Sequence, residues 1–362
     1  MNKKLIESVL EIARYYPSGD NSQPFRFRWR EKDNVLLVDY IAAEAEHTLA
    51  YDEYTLFITL GAALEYIRNA FAIYDTNVVF NLSLNNFDVK EDHPAICSVS
   101  ATDSPSILGT KLSKETLLNR VTDRRPYQPY ESIQIDADNI QKSLRYTDCQ
   151  LHINAATETL DFFALCDSMV WQSPTLGLDI MSTVTFSDPP AVTGLPWRNL
   201  GLKKAETYPI RLLQKYPWLF KVFKALGAAK AMQKSQRQLW CSSSSFLVFI
   251  YLPGLSNEEK ILSNMELMNT LLTLSAQGYS FQPSTMSTDI LNFPVKPTKN
   301  LQTAANLELD EIKALINDTR EKLKLGNRQV NWILRCGKAH TPFPQNAHTL
   351  RLPVSELLSL EL

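Results

Sequence analysis

The stretch YYPSGDNSQPFRF, Tyr15 to Phe27, packs Pro17, Ser18, Gly19, Asp20, Asn21, Ser22, Gln23 and Pro24 into one corner between two regular segments. Upstream, Leu5, Ile6, Val9, Leu10, Ile12 and Ala13 recur at the 3.6-residue spacing of an amphipathic helix over 3–16, which must stop before Pro17. Downstream, FRFRWRE (25–31) and NVLLVDYI (34–41) are β-rich runs joined at Lys32-Asp33 and predict a hairpin. Taken alone, so many small polar residues are also what an ordinary turn uses.

Working outward, the run from Tyr54 to Tyr74 is apolar on most faces and predicts a buried helix. NVVFNLSL (77–84) and AICSVSAT (95–102) read as strands, 135–144 as a polar helix, 150–157 as a strand and 157–175 as helix. Pro and Gly punctuate 186–201 as loop, and 207–239 is a long amphipathic stretch. The order then repeats: strand 246–253, buried helix 256–277, polar corner 279–288, helix 301–324, strand 329–337. Two long apolar helices in successive halves suggest an internal duplication, as if two subunits of a dimer were fused.

Composition narrows the classes. A formal net charge of −2 over 362 residues argues against a general nucleic-acid binder, which needs a basic excess. Glu7 and Glu11 interrupt what would be the apolar core of a signal peptide, and no run reads as an integral membrane segment, so a cytoplasmic protein is expected. The five cysteines are scattered without a CxxC pair and read as reduced thiols; the five histidines form no zinc spacing, so no metal site is expected. The eleven glycines include no GxG, which removes a dinucleotide-binding fingerprint and a P-loop.

Three polar features stand out: the corner Pro17–Phe25, the run RVTDRRP at Arg120–Pro126, and the terminal RLPVSELL carrying Arg351. Together they resemble the A-P-S-x-x-N-x-Q-P-W corner, the R-x-[ST]-x-R motif and the R-x-P-x-x-E-[VL] end of the FMN-dependent nitroreductase superfamily. The motif order, the length and GAALEYIRNA (61–70) look most like its Acg-type, single-chain branch. The resemblance implies an α+β, nitroreductase-like fold with two pseudo-symmetric halves, each a mostly antiparallel sheet flanked by helices. It divides the chain at 1–110 and 111–362, with a lid insertion at about 186–240. It also implies a monomer that imitates a dimer and is able to dimerise further, with one FMN between the halves.

Residue by residue, the resemblance assigns the cofactor to Pro17, Ser18, Gly19, Asn21, Gln23, Arg120, Thr122, Arg124, Pro283, Ser284 and Arg351. Arg120 and Arg351 are phosphate candidates, because planar guanidinium groups bind such an anion bidentately. Arg124 would face the N1/O2 side of the ring and stabilise its reduced anion. Ser18, Asn21 and Gln23 would supply short donors and acceptors, Gly19 a sharp turn, and Pro283-Ser284 a contact from the other half. The sequence departs from the family pattern at Phe25 (usually Trp), at Asp20, which sets a carboxylate by the corner, and at Val121-Arg125, which leaves open which arginine touches the cofactor.

The function implied is hydride transfer through flavin N5 between a reduced nicotinamide or organic donor and an electron-poor small molecule, with NADH or NADPH bound transiently and no side chain acting as catalytic nucleophile. Two alternatives stay open: a weakly catalytic flavin-storage protein, and a dehydrogenase of a peptide or carrier-bound substrate. Residues 206–240 alternate Leu, Trp, Phe and Val with lysines and read first as a lid or interdomain packing, which Pro209 and Pro217 favour by breaking the stretch into pieces, and otherwise as a membrane-surface segment or a docking helix. Cys336 beside Arg335 reads as a core thiol, since neighbours on a strand face opposite ways, and His348 as a surface group.

Overall fold

The computed structural model describes the chain apart from residues 46–47, 50–52, 85–86, 105–111, 297–301, 303–304 and 362. Helix α1 (Lys3–Ala13) forms where the apolar repeat lies; Asn2 caps it by accepting from Leu5 N at 2.9 Å, and Ile6, Val9, Leu10, Ile12 and Ala13 are buried. Strands β1 (Phe25–Arg30) and β2 (Val35–Tyr40) make the expected hairpin, followed by the short α2 (Ala42–Ala45), the long α3 (Glu53–Ile73), β3 (Asn77–Leu82) and β4 (His93–Thr102). Helix α4 (Lys114–Asn119), α5 (Ala137–Ser143) and β5 (Thr147–His152) lead to α6 (Thr157–Ser168), a 3₁₀ turn at Met169–Trp171, and α7 (Pro174–Ser182).

The next segment carries the two-residue β6 (Val184–Thr185) and β7 (Leu195–Pro196), then α8 (Lys204–Lys215), α9 (Leu219–Ala225) and α10 (Ala228–Ser243). Then come β8 (Phe246–Tyr251), α11 (Asn257–Ala276), β9 (Tyr279–Pro283), α12 (Thr285–Asn292), α13 (Lys313–Lys322), β10 (Val330–Lys338), α14 (Val354–Leu357) and β11 (Leu358–Glu361).

The main sheets are β11-β1-β2-β4-β3 and β5-β8-β10-β9. Leaving β11 aside, both follow one plan: a hairpin-like pair, a long helix, an edge strand, and a strand returning between. The last strand pairs parallel with β1, Phe27 opposite Leu358 and Trp29 opposite Leu360, so the C-terminus completes the N-terminal sheet. Arg28 ties that edge, reaching Asp39 Oδ2 and Glu361 Oε2 at 2.6 Å each. The architecture is α+β.

The central helices α3 and α11 cross at Gly61. A Cβ there would lie 2.5 Å from Asn264 Cβ and 2.8 Å from the Ile261 carbonyl oxygen, so only glycine permits this approach. Helix α3 is the one described helix long and apolar enough to span a bilayer, and 89% of that window is buried inside the fold, so it reads as a core helix. One core joins α1, α3, α11 and both sheets; a second fills the other face of β8 and β10 against α6 and α12.

Three segments differ from the sequence reading. Strand β5 begins three residues early and ends at His152, because Asn154 takes a left-handed φ of 51° and turns the chain into α6. The helix expected over 157–175 breaks at the 3₁₀ turn, and Pro174 opens a new one capped by Ser173. The polar corner 279–288 is a strand followed by a helix: Thr288 Oγ1 donates to Ser284 O at 2.9 Å and accepts from Ile333 N at 3.1 Å, so the buried Ser284 and Thr288 are paired. The expected helix 301–324 falls partly outside the described residues; within them, helix covers Lys313–Lys322 after a 3₁₀ turn at Leu309–Ile312.

Candidate functional site

The opening corner is shaped by its polar side chains. The sharp turn expected of Gly19 is made instead by Asp20, Asn21 and Gln23, whose φ angles are 47°, 59° and 55°. Asp and Asn tolerate this region, but Gln does so rarely. Gln23 is held there from both ends: Nε2 donates to Val192 O at 2.7 Å and Oε1 accepts from Leu352 N at 2.8 Å. Asn21 Nδ2 donates to Val192 O at 3.0 Å and Leu350 O at 3.1 Å, while its Oδ1 accepts from Arg351. Ser18 Oγ accepts from Gln23 N at 3.0 Å. The corner is thereby stapled to the C-terminal segment, which brings Arg351 beside it.

The Arg120–Arg125 strip is laid along the second sheet. Thr122 bridges Phe281, and Asp123 N donates to Phe281 O at 3.1 Å. Arg125 forks onto the buried Asp123 carboxylate at 2.9 and 2.7 Å and also reaches Thr341 and Pro342, so it is spent on structure. Beneath the strip, the buried Arg335 stacks its guanidinium 3.9 Å from the Tyr127 ring centre and donates to Arg125 O at 2.8 Å and Gln282 Oε1 at 2.8 Å. With Arg125 anchored, Arg120, Thr122 and Arg124 remain on the cleft side.

One end of the cleft is cationic. Arg120 Nε donates to Tyr66 Oη at 3.0 Å, and Arg124 Nη1 to Asn199 Oδ1 at 2.6 Å. Arg351 Nη1 donates to Asn21, to Thr349 Oγ1 at 2.5 Å and to Leu350 O at 3.1 Å, and its Nε is buried with no partner. Among the described residues none of the three forms an ion pair with a carboxylate, although Asp20 lines the same end. Burial, then the nearby Arg120, pushes Arg351 down to about 10. Burial lowers Arg124, and burial followed by Arg120 and Arg351 lowers His348. Cations crowded and desolvated in this way favour an anion among them.

From that end the cleft widens into a slot, open to solvent, walled by Tyr54 and Ile58 of α3, Met268 and Leu271 of α11, and Phe281, Pro283, Trp332 and Leu334 of the second sheet. The shape is a polar, cationic mouth leading to an apolar, aromatic slot, which suits a planar ring carrying an anionic tail.

Of the residues singled out from sequence, Pro17, Ser18, Gly19, Arg120, Thr122, Arg124 and Pro283 line the slot, and Asn21 and Arg351 its cationic end. Gln23 lies behind the wall. Ser284 also lies off the lining, with Oγ 2.9 Å from Asp167 Oδ1 and 2.7 Å from Ser287 Oγ. Tyr66, Asn199 and Trp332 were not anticipated at the site. Tyr66 left a faint signal, a lone phenol in the run GAALEYIRNA; Asn199 sits in an irregular loop that gives none. His348 is at the cleft rather than an ordinary surface group. Cys336 is buried, as a core thiol, with burial pushing it up to about 12.

No family model matches the chain, and no curated protein does. Among solved structures it is similar to the FMN- and NADPH-dependent nitroreductase NfnB of Sphigopyxis sp. strain HMH, at 14% identity and TM-score 0.34 over 68% of this chain and 97% of that one. It is also similar to a nitroreductase-like family protein of Bacillus cereus, at 13% identity and TM-score 0.31 over 70% and 95%. A third is the FMN-dependent nitroreductase NfnB of Mycobacterium smegmatis in complex with NADPH, at 11% identity and TM-score 0.32 over 64% and 92%.

Proposed function

We propose that the chain is an FMN-dependent oxidoreductase of nitroreductase type whose two halves, 1–110 and 111–362, stand in for the two subunits of a dimer and share one cofactor. The observation that carries this reading is the convergence of Arg120, Arg124 and Arg351, none in an ion pair with a carboxylate among the described residues though Asp20 acts on Arg124 through its charge, at the end of an aromatic slot lined by α3, α11 and the second sheet. The common strand plan of the two sheets supports the duplication.

In this reading Arg120 and Arg351 bind the FMN phosphate, and the unpartnered Nε of Arg351 supplies one donor. Arg124, oriented by Asn199, holds positive charge near the pyrimidine edge, where reduction places negative charge. Ser18 and Thr122 supply hydroxyls, and Pro17 and Pro283 close the slot without adding donors. FMN held there would supply hydride-transfer chemistry between a reduced nicotinamide or organic donor and an electron-poor acceptor. The chain's own part is to bind, orient and exclude water, so no side chain is needed as nucleophile.

The test is the visible spectrum of the purified chain with FMN, before and after anaerobic NADPH or NADH. Bound flavin that bleaches promptly is expected. A chain that takes up no FMN overturns the cofactor assignment, and bound flavin that stays oxidised with both donors overturns the reductase reading.

A further inference from the structure

The insertion that follows the cleft carries a surface that the proposed chemistry does not use. Between Lys203 and Arg237 the sequence places seven lysines and two arginines against Glu206 alone, a formal charge of +8 within a chain of net −2. All nine cations are exposed. Arg237 pairs with Asp161, and Lys224 donates to Gln172 O at 2.8 Å; Lys204, Lys221, Lys230 and Lys234 have no carboxylate partner among the described residues.

The same segment exposes its largest apolar side chains. Helices α8 and α9 bury one face in a small cluster around Leu213, Phe220 and Met181. The opposite positions recur at four-residue spacing and stand in solvent: Tyr208 and Leu212 on α8, then Trp218, Val222 and Leu226 leading along α9, with Trp218 67% and Leu226 78% exposed. Lysines stand among these stripes: Lys215 on α8 and Lys221 and Lys224 on α9, all exposed.

We propose that α8 and α9 dock this chain, as a peripheral protein, on an anionic lipid surface. The chemistry fits that partner. Trp and Tyr are amphipathic and settle at the level of lipid headgroups, leucine reaches the acyl boundary, and lysine stems lie along apolar surface while their ammonium groups stay with phosphates. Predominance of lysine over arginine suits diffuse attraction to many headgroups rather than bidentate reading of a nucleic acid. Pro217 lies between α8 and α9, while Pro209 sits within α8, so two short helices present their stripes separately.

The experiment is co-sedimentation of the full chain with vesicles of phosphatidylcholine alone and of equimolar phosphatidylcholine and phosphatidylglycerol, at low and high salt. Binding to the anionic vesicles, weakened by salt, is expected. The exposed pair Lys215→Glu/Lys221→Glu should lower it by about tenfold or more, and Trp218→Ala/Leu226→Ala likewise, with circular dichroism unchanged. Equal binding to both vesicle types, or full binding by either variant, overturns the proposal. So does a chain that ignores vesicles but binds a DNA duplex, or one that self-associates through Trp218. None of these readings depends on flavin.

Discussion

Gln23 Oε1 accepts from Leu352 N at 2.8 Å while Nε2 of the same amide donates to Val192 O at 2.7 Å, so one buried side chain joins the N-terminal corner to the loop between β6 and β7 and to the C-terminal segment. The amide shapes the cleft from behind by seating the segment that carries Arg351. Gln23→Ala leaves the Leu352 N–H unmet and Val192 O with only its Asn21 donor, and is expected to cost about 2 kcal/mol in urea unfolding. Gln23→Glu keeps the acceptor for Leu352 but sets a carboxylate against the Val192 carbonyl, and should be at least as damaging near neutral pH. A neutral result for both variants would remove Gln23 from this role.

Gly61 gives a prediction whose sign opposes helix propensity. In a helix interior, glycine to alanine normally stabilises by about 1 kcal/mol. Here the new methyl would lie 2.5 Å from Asn264 Cβ and 2.8 Å from a backbone oxygen, neither of which moves without shifting α11. Gly61→Ala should therefore destabilise by about 1–3 kcal/mol, measured by equilibrium unfolding. Because α3 and α11 both supply cleft walls, FMN affinity should fall with it.

Asp167 links the end of α10 to the turn that opens α12: Oδ2 accepts from Trp240 Nε1 at 2.9 Å and Oδ1 lies 2.9 Å from Ser284 Oγ. Burial raises it from the ordinary 3.8 to about 6, against the opposing bonds from Trp240 and Ser284. The folded state thus holds a proton that the unfolded chain releases at lower pH. Its contribution is fully present below the unfolded value and is lost as pH rises through about 6. Wild-type stability measured relative to Asp167→Asn should fall by about 2 kcal/mol between pH 4.5 and pH 7.5. A flat difference would show that Asp167 titrates normally.

The elements that sequence made legible are those with a strong period. Helix α1, the β1–β2 hairpin and the two buried helices lie within a residue or a few of their expected bounds, because each buries a continuous apolar face. What was hidden depends on contacts between distant segments. Nothing local marks Leu358–Glu361 as a strand that crosses to β1, or Thr288 as the acceptor for Ile333 N. At the cleft the residue types were readable but not their division of labour. Asn21 and Gln23 bond mainly to backbone, Arg125 to Asp123, and Ser284 to Asp167, while Tyr66 and Asn199 orient two of the arginines. The left-handed angles of Asp20, Asn21 and Gln23 come from that tertiary stapling, so a local reading assigned the turn to Gly19 instead.

His348 offers an independent probe of the cationic end. Its imidazole lines the same space as Arg120 and Arg351, and burial together with those two guanidinium groups holds it below the usual histidine range. An anion seated among the arginines would offset their repulsion and favour imidazolium. Histidine NMR titration should therefore show the His348 value rising when FMN, or inorganic phosphate at high concentration, is added, with the other four histidines unmoved. Arg120→Ala alone should raise it without ligand, since one repelling charge is gone, and should weaken FMN binding by roughly tenfold or more through loss of a charge-assisted contact. If His348 does not respond to FMN that demonstrably binds, the phosphate lies elsewhere and the arginines serve another anion.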